Sequence, residues 1–239
     1  MTAATWRAAP KAALHRLSAT AGPAGIILGR DHSGALAPVR LLRPEPTRVA
    51  LVGGSWAARL LVFRCLAVGA VVEVTTVSLA RWTALGESAG ASGRLTAIRP
   101  GDPHEPLSSR GSEQPVVHIN DVGLGNPMDR PAVGAWHTWV TVLPVLTSHS
   151  APVVADANVV LMQRLGPEEA DICVSALRLQ PDTAAKLQQL HDDMVVVVVA
   201  GEPRYLFFAV TSVENEILGP ARRGERSVAG VARVATGFA

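Results

Sequence analysis

The chain has 239 residues, of which 48% are hydrophobic and 18% are charged, and its formal net charge is +2. This composition supports a substantial core in one domain or slightly more, and it excludes an intrinsically disordered chain. The basic and acidic residues are interspersed, so the long-range field that attracts nucleic acid is weak and nucleic acid binding is not expected.

The cysteine content and the hydropathy pattern indicate in which cellular compartment the chain is expected. Cys65 and Cys173 are the only cysteines, and each lies in an apolar stretch. This predicts buried thiols in a reducing, cytoplasmic environment and not a disulfide scaffold or a zinc site. No run of about 20 residues is apolar enough to span a bilayer. Residues 1–24 carry basic but no acidic side chains and lack a continuous apolar core, so we expect a flexible arm and not a signal peptide.

A globular domain is predicted to begin after this arm. Two short apolar runs within residues 26–42 flank the turn-rich sequence Asp31-His-Ser-Gly34, a pattern typical of a β-hairpin. A strand then ends at Gly53 and Gly54, a segment of helical composition follows, and a second strand is predicted over residues 71–76. This order of strand, turn, helix and strand predicts an α/β fold with a mostly parallel sheet and flanking helices.

The remaining elements continue this alternation as far as residue 218. Helices are predicted over residues 79–86 and 132–146, and two more follow, one that begins at Pro167 and one that ends near His191. Strands are predicted over residues 95–99, 115–121, 194–199 and 205–210, and within residues 153–162. We therefore assign residues 25–218 to one domain. An arginine- and glycine-rich tail at residues 219–239 follows it, and Arg222, Arg223 and Arg226 in this tail could contact an acidic partner.

The paired glycines lie at the carboxyl edge of the predicted sheet, where folds of this kind bind ligands. A phosphate-binding P-loop has the sequence Gly-x-x-x-x-Gly-Lys-Ser/Thr, in which the lysine contacts phosphate and the hydroxyl binds magnesium. The corresponding residues of this chain are, in order, Gly53, Gly54, Ser55, Trp56, Ala57, Ala58, Arg59 and Leu60. Only the first glycine is kept, and neither lysine of the chain, Lys11 or Lys186, follows a strand and a glycine-rich turn.

Other motifs are compatible with the same turn. The dinucleotide-binding fingerprint Gly-x-Gly-x-x-Gly keeps one glycine here, and Glu73 lies about 20 residues further on, near the position of a ribose-binding acid. A Rossmann-type enzyme that binds NAD(P) is therefore an alternative function. The glycines could also form only a tight turn that packs a helix against the sheet. A serine hydrolase is not indicated, because the nucleophile motif Gly-x-Ser-x-Gly requires glycine at the position of Ala57.

The residues around the turn resemble those of one ATPase family. The segments Leu28-Gly-Arg-Asp31, Pro38-Val-Arg-Leu41, Arg48-Val-Ala-Leu-Val-Gly-Gly54 and Arg59-Leu-Leu-Val-Phe-Arg64 are similar to the start of the RecA-like motor domains of the FtsK/SpoIIIE family. They are most similar to the EccC-type ATPases of type VII secretion. The resemblance extends over residues 26–218, and it implies a RecA-like P-loop NTPase-like core with an N-terminal β-hairpin.

The second motif of that family consists of apolar residues followed by two acids, the first for magnesium and the second for activating water. In this chain the strand that begins at Val116 ends in Asn120 and Asp121, so only the second acid is kept. Arg59 can contact a phosphate but fits the lysine cradle poorly, Leu60 lacks the hydroxyl, and Asn120 lacks the charge. Because phosphoryl transfer depends on this positioning and electrostatics, we expect no ATP hydrolysis, although nucleotide binding without turnover stays open.

Few other side chains indicate a site. Trp136 and Trp139 are three residues apart, which on a helix would place both indoles on one face, either in the core or on a partner surface. His118 lies on a predicted buried strand and is expected to be a core residue. No two of the seven histidines have the i, i+4 spacing of a helical metal site, so no metal or resident cofactor is expected.

The resemblance and the lost motifs together predict a binding function. The first hypothesis is a catalytically inactive adaptor or regulator in a type VII-like secretion or translocation system. The resemblance implies protein partners, a secretion ATPase or a secreted substrate, and a cytoplasmic location with membrane association only through those partners. The sequence does not indicate the oligomeric state.

Overall fold

The structure, a computed structural model, describes residues 25–105, 107–123 and 134–223, and within these residues ten strands form a single sheet. The strands are β1 (Ile26–Arg30), β2 (Leu36–Val39), β3 (Thr47–Val52), β4 (Val71–Thr76), β5 (Leu95–Ile98), β6 (Val116–Asp121), β7 (His137–Leu143), β8 (Val159–Met162), β9 (Met194–Val199) and β10 (Glu202–Phe208). Their order across the sheet is β2-β1-β10-β9-β8-β3-β7-β6-β4-β5. The predicted N-terminal arm lies outside the described residues.

The half of the sheet from β8 to β5 is parallel. In it β3 pairs with β8 on one side and β7 on the other, and β7 separates β3 from β6. The β1-β2 hairpin, β9 and β10 extend the sheet by antiparallel pairing. Because neighbouring parallel strands run in the same direction, the carboxyl ends of β3, β4, β6, β7 and β8 meet at one edge. The mostly parallel sheet and the hairpin confirm the predicted α/β class.

Helices cover both faces of the sheet. They are α1 (Ser55–Ala67), α2 (Leu79–Ser88), α3 (Ala151–Ala155), α4 (Pro167–Leu177), α5 (Thr183–Gln188) and α6 (Ser212–Leu218). One buried cluster joins the sheet to α1 and α2 and includes Leu61 and Trp82. A second cluster joins the opposite face to α3, α4 and α5 and includes Cys173 and Leu187. Among the helices described, none has both the length and the apolar character needed to cross a bilayer.

The two cysteines are free and buried, as the sequence predicted. Burial raises the pKa of the Cys65 thiol to about 12 and that of the Cys173 thiol to about 12 as well. Both thiols are therefore protonated at neutral pH, and a protonated thiol is a poor nucleophile. Their contribution is to the packing of the two clusters.

The prediction of a helix over residues 132–146 is wrong, because β7 occupies His137–Leu143. Four of the seven residues of β7 are valine or threonine, which favour the extended backbone. The strand also pairs on both sides, with β3 and β6, and this tertiary pairing outweighs any helical pattern. The strands predicted within residues 153–162 are correct only in their second half, since α3 comes first.

The last helix, α6, was not predicted, although its start carries a capping box. The Thr211 side chain accepts from the Glu214 N–H at 3.2 Å, and the Glu214 side chain accepts from the Thr211 N–H at 2.8 Å. This reciprocal pair satisfies two N–H groups that the first turn of a helix leaves without partners. A threonine followed three residues later by glutamate was the signal in the sequence.

The Arg64 guanidinium joins α6 to the rest of the domain. It donates to both carboxylate oxygens of Glu214 at 2.6 and 2.9 Å, and to the main-chain oxygens of Ile27, Leu28 and Ala209 at 2.6, 2.9 and 2.7 Å. The two ionic side chains are only 11% and 5% exposed. Burial opposes the ionisation of Glu214, but hydrogen bonds from Arg64 and the main chain outweigh it and lower the pKa of Glu214. Because removing one partner of such a buried pair costs about 3–5 kcal/mol, α6 is held firmly against α1.

Candidate functional site

The turn between β3 and α1 consists of Gly53 and Gly54 alone. The Gly53 N–H donates to the Leu143 oxygen at the end of β7, at 3.0 Å. Gly54 is the N-cap residue, with φ −81° and ψ 167°, and α1 begins at Ser55. In a P-loop the full glycine-rich segment separates strand from helix. Here the helix begins inside the corresponding segment, so residues 55–58 form helix and not a phosphate-wrapping loop.

The side chains of the altered motif face the protein interior. Trp56, Ala57, Ala58 and Leu60 are buried. The Arg59 guanidinium donates to the Ile217 main-chain oxygen in α6 at 3.2 Å, so it is directed toward a helix terminus. A nucleoside triphosphate with magnesium requires a cation at the phosphates and a hydroxyl at the metal. The residues present therefore do not fit that group.

Gln163, which directly follows β8, fills the space above the turn. The side-chain Oε1 of Gln163 accepts from the Gly54 N–H at 2.9 Å, and the main-chain N–H of Gln163 donates to the Val52 main-chain oxygen at 3.0 Å. The residue is 1% exposed. A Cβ atom on Gly53 would lie 2.6 Å from Gln163 Oε1, so only glycine allows this close approach. The sequence analysis did not single out Gln163, whose only signal is a polar residue directly after a buried parallel strand.

Residues 219–223, which we call the closing segment, cross this edge after α6. The Trp56 indole Nε1 donates to the Gly219 main-chain oxygen at 2.9 Å. Further along, the Gln163 Nε2 donates to the Arg222 main-chain oxygen at 3.1 Å. Both contacts are made to main-chain oxygens of the closing segment. Gln163 thus joins the glycine turn on one side to the closing segment on the other.

The closing segment is anchored at its far end by an ion pair. Arg223 NH2 donates to Glu169 Oε1 at 2.5 Å, and the two side chains are 15% and 12% exposed. Glu169, in the first turn of α4, also accepts from the N–H groups of Leu146 and Gly166 at 2.9 and 2.7 Å. Burial opposes the ionisation of Glu169, but the bonds from Arg223 and the main chain outweigh it and lower the pKa of Glu169. The carboxylate is therefore held ionised at neutral pH.

Asn120 and Asp121 lie at the carboxyl end of β6, as the second motif predicted. Because β7 separates β6 from β3, these residues stand two strand spacings, roughly 10 Å, from the glycine turn. Asp121 Oδ2 accepts from the Trp82 indole at 2.9 Å. Burial raises the pKa of Asp121 against the opposing effect of this bond. Nearby, Arg81 donates to the Ser55 hydroxyl at 3.0 Å, which links α2 to the start of α1.

Glu73 does not occupy the position that a dinucleotide site requires. It is the third residue of β4, not the last, and it is 6% exposed. Its Oε1 lies 3.2 Å from His118 Nδ1 and 3.5 Å from His104 Nε2. A ribose-binding acid must face the ligand crevice beyond the strand end. The burial of Glu73 and its contacts with two histidines therefore argue against that role.

His118 was predicted to be a core residue; it is partly buried, and both of its ring nitrogens have a polar neighbour. Its Nδ1 faces Glu73, its Nε2 lies 3.2 Å from His137 Nδ1, and its ring stacks on Trp139 with a centroid distance of 5.4 Å. Burial and the neighbouring His118 lower the pKa of His137. In the described part of the chain, no group of three or more His, Cys, Asp or Glu side chains is arranged to hold a metal ion.

Trp136 and Trp139 do not share a helical face. Trp136 precedes β7 with φ 60°, a left-handed conformation, and Trp139 lies within the strand. Both side chains are partly exposed. Trp139 stacks on the His118 ring, and Trp136 lies outside the strand. The two indoles therefore do not form the single surface that helical spacing implied.

The close approach of Gly53 and Gln163 leads to a double-variant prediction. Gly53→Ala should displace the Gln163 side chain and cost about 1–3 kcal/mol of unfolding free energy. Gln163→Ala removes the acceptor of the Gly54 N–H and should cost about 1–3 kcal/mol. In the double variant the new methyl group meets no obstacle, so urea denaturation should give a loss smaller than the sum by about 1 kcal/mol or more.

Gly93→Ala is the matched control, because its Cβ would meet no atom within 4 Å. Its effect should add to that of Gln163→Ala within about 0.5 kcal/mol. Additive losses for Gly53→Ala and Gln163→Ala would contradict the contact between the turn and the Gln163 side chain.

The raised pKa of Asp121 predicts that Asp121→Asn stabilises the domain. The amide can still accept from Trp82 but carries no charge in this partly buried position. We expect a gain of about 1 kcal/mol, or a rise of about 2–4 °C in Tm, at neutral pH. The folded carboxyl has a pKa above its ordinary 3.8, so the wild-type protein loses stability as the pH rises from 3.8 through the pKa of the folded state. The stability gained by Asp121→Asn should therefore vanish below about pH 3.8, where the carboxyl is protonated in both states.

Asp171→Asn on the exposed surface of α4 controls for the change in net charge. It should change the unfolding free energy by less than about 0.5 kcal/mol. A destabilised Asp121→Asn variant at neutral pH would mean that the Asp121 carboxylate is needed by the fold.

Known proteins resemble this chain in structure. No family model matches the sequence, and no curated protein matches it. VirB4 of Thermoanaerobacter pseudethanolicus superposes with a TM-score of 0.54 at 9% sequence identity, over 79% of this chain and 97% of the VirB4 chain. The cytoplasmic domain of EssC gives a TM-score of 0.49 at 11% identity, over 84% of this chain and 48% of that chain. The likeness to VirB4 shows that this chain shares the fold of that protein, and the sheet described above is the mostly parallel α/β sheet with an N-terminal hairpin that the sequence predicted.

Proposed function

We propose that this chain is a catalytically inactive relative of the secretion ATPases, and that it acts through protein contacts as an adaptor or regulator of a type VII-like secretion or translocation system. The observation that carries the proposal is the closed turn. Gln163 bonds the Gly54 N–H, and α1 begins at Ser55, where a nucleotide-binding loop would have to lie. An α/β domain of this size with its ligand edge filled is suited to binding other proteins.

The loss of ATP hydrolysis is supported at each position that the reaction requires. Arg59 is directed to the Ile217 oxygen, and Leu60 is fully buried without a hydroxyl. Asn120 offers no charge to a metal, and the Asp121 carboxylate is engaged by an indole N–H. Phosphoryl transfer needs a positioned cation, a metal ligand and a group that orients water. None of these named side chains supplies its part.

The secretion assignment is supported by one similarity in sequence and one in fold. The sequence around the turn resembles EccC-type ATPases of type VII secretion, and the fold is shared with VirB4, a secretion ATPase. By analogy, the partners are a secretion ATPase or a secreted substrate, and the chain works in the cytoplasm with membrane association through those partners. The NAD(P)-dependent alternative has less support, because Glu73 is buried against histidines in the middle of β4.

Ligand-dependent thermal shifts test the closed turn. The purified chain should show no rise in Tm with ATP and magnesium, ADP, NAD or NADP at millimolar concentration, because the edge offers no phosphate site. A ligand present at 100 times its Kd would stabilise the chain by about 2.7 kcal/mol and raise Tm by several degrees. Stabilisation by ATP would contradict the closed turn, because it would require a phosphate site at this edge, and stabilisation by NAD or NADP alone would favour the dinucleotide enzyme.

Affinity purification from the source cells tests the adaptor role. Secretion ATPases or secreted substrates should be recovered with the tagged chain after crosslinking, and their recovery should not depend on added nucleotide. The Asp121→Asn variant serves as a folded control and should recover the same partners, since the proposal gives Asp121 no catalytic part. Recovery of metabolic enzymes alone would contradict the secretion assignment.

A further inference from the structure

The closing segment contacts the domain as a bound peptide would. Two main-chain oxygens, those of Gly219 and Arg222, accept from the Trp56 indole and the Gln163 amide at 2.9 and 3.1 Å. Contacts of this kind recognise an extended main chain whatever its side chains are. None of residues 219–223 belongs to a helix or strand. The edge of the sheet therefore holds this stretch through polar groups that project from α1 and from the end of β8.

Two side chains of the closing segment determine which sequences this edge of the sheet can hold. The small side chain of Ala221 packs against the cluster beneath α1. Two residues later, the Arg223 guanidinium reaches Glu169 in a pair whose side chains are only 15% and 12% exposed. The acceptor is built in advance, because the N–H groups of Leu146 and Gly166 hold the Glu169 carboxylate in place independently of Arg223. This arrangement selects a small residue followed, two positions later, by arginine.

The closing segment can leave without unfolding the domain. Gly219 has φ 74° and ψ −177°, a conformation essentially confined to glycine, and it turns the chain away from α6. The helix before it is held separately by Arg64 and Glu214. Opening therefore requires rotation at Gly219 and the loss of the contacts that residues 219–223 make, which is a local opening and not a global unfolding.

We propose that this edge is a peptide-binding groove that has replaced the nucleotide site, and that residues 219–223 are its tethered occupant. A partner segment of the same chemistry, a small residue with arginine two positions later, displaces the closing segment and binds in its place. This goes beyond the proposed function and does not depend on the secretion assignment, because the groove is defined by contacts within this chain.

A labelled peptide with the sequence of residues 217–225 tests the groove by fluorescence polarisation. The full-length Arg223→Ser variant, in which the tether lacks its anchor, should bind the peptide about tenfold or more tightly than wild type, whose own segment competes at high effective concentration. Replacing the arginine of the peptide that corresponds to Arg223 by alanine should weaken binding by about tenfold or more, because Glu169 then stays buried and unpaired.

Matched receptor variants separate this contact from general electrostatics. In the Arg223→Ser background, Glu169→Gln should weaken peptide binding about tenfold or more, whereas Glu168→Gln, the same charge change at an exposed neighbour, should have little effect. A chain that ends at Leu218 provides a second receptor with an empty groove, and circular dichroism checks that both receptors are folded. The proposal is overturned if folded receptors do not bind the peptide, or if they bind the alanine peptide equally well.

Discussion

The side-chain amide of Gln163 is the contact on which the geometry of the ligand edge depends. One end of the amide accepts from the Gly54 N–H, and the other donates to the Arg222 oxygen. An amide is suited to this position because its tip carries an acceptor and a donor on two separate atoms, Oε1 and Nε2. Its length requires a residue without Cβ at position 53 and a segment of chain directly above it. The glycine turn, the start of α1 and the path of the C-terminal residues are therefore one structural unit.

Polar groups at this edge have found partners within the protein. The Trp56 indole and the Asp121 carboxylate both take part in hydrogen bonds with other parts of the chain. A buried polar group without a partner costs about 1–3 kcal/mol, so a site that no longer binds a ligand is stable only if its polar groups are satisfied internally. The closing segment supplies the acceptor for the Trp56 indole, and Trp82 supplies the donor for the Asp121 carboxylate.

Local patterns in the sequence predicted much of the fold, and long-range pairing explains the rest. The hairpin, the strand leading into the glycine turn, α1 and β4 follow from apolar runs and turn residues. The helix predicted over residues 132–146 was wrong because residues compatible with both structures became a strand once β3 and β6 paired on either side. At the site, the order Asn120-Asp121 was visible in the sequence. The bond between Gln163 and Gly54 was not, because it joins residues 109 positions apart.

A bound nucleotide stabilises the fold that holds it, so a domain of this fold that binds no nucleotide, as proposed for this chain, has to replace that contribution. Here the closing segment supplies acceptor oxygens to Trp56 and Gln163, and Arg223 adds a buried ion pair with Glu169. These contacts connect α1, β8 and α4, which a ligand at this edge of a parallel sheet would otherwise bridge. Because an ion pair of this kind depends on both partners being present, the stability of the edge and its occupancy by residues 219–223 are linked. A partner that replaces the closing segment, as proposed above, would have to supply the same set of contacts, which are main-chain acceptor oxygens and a correctly spaced cation.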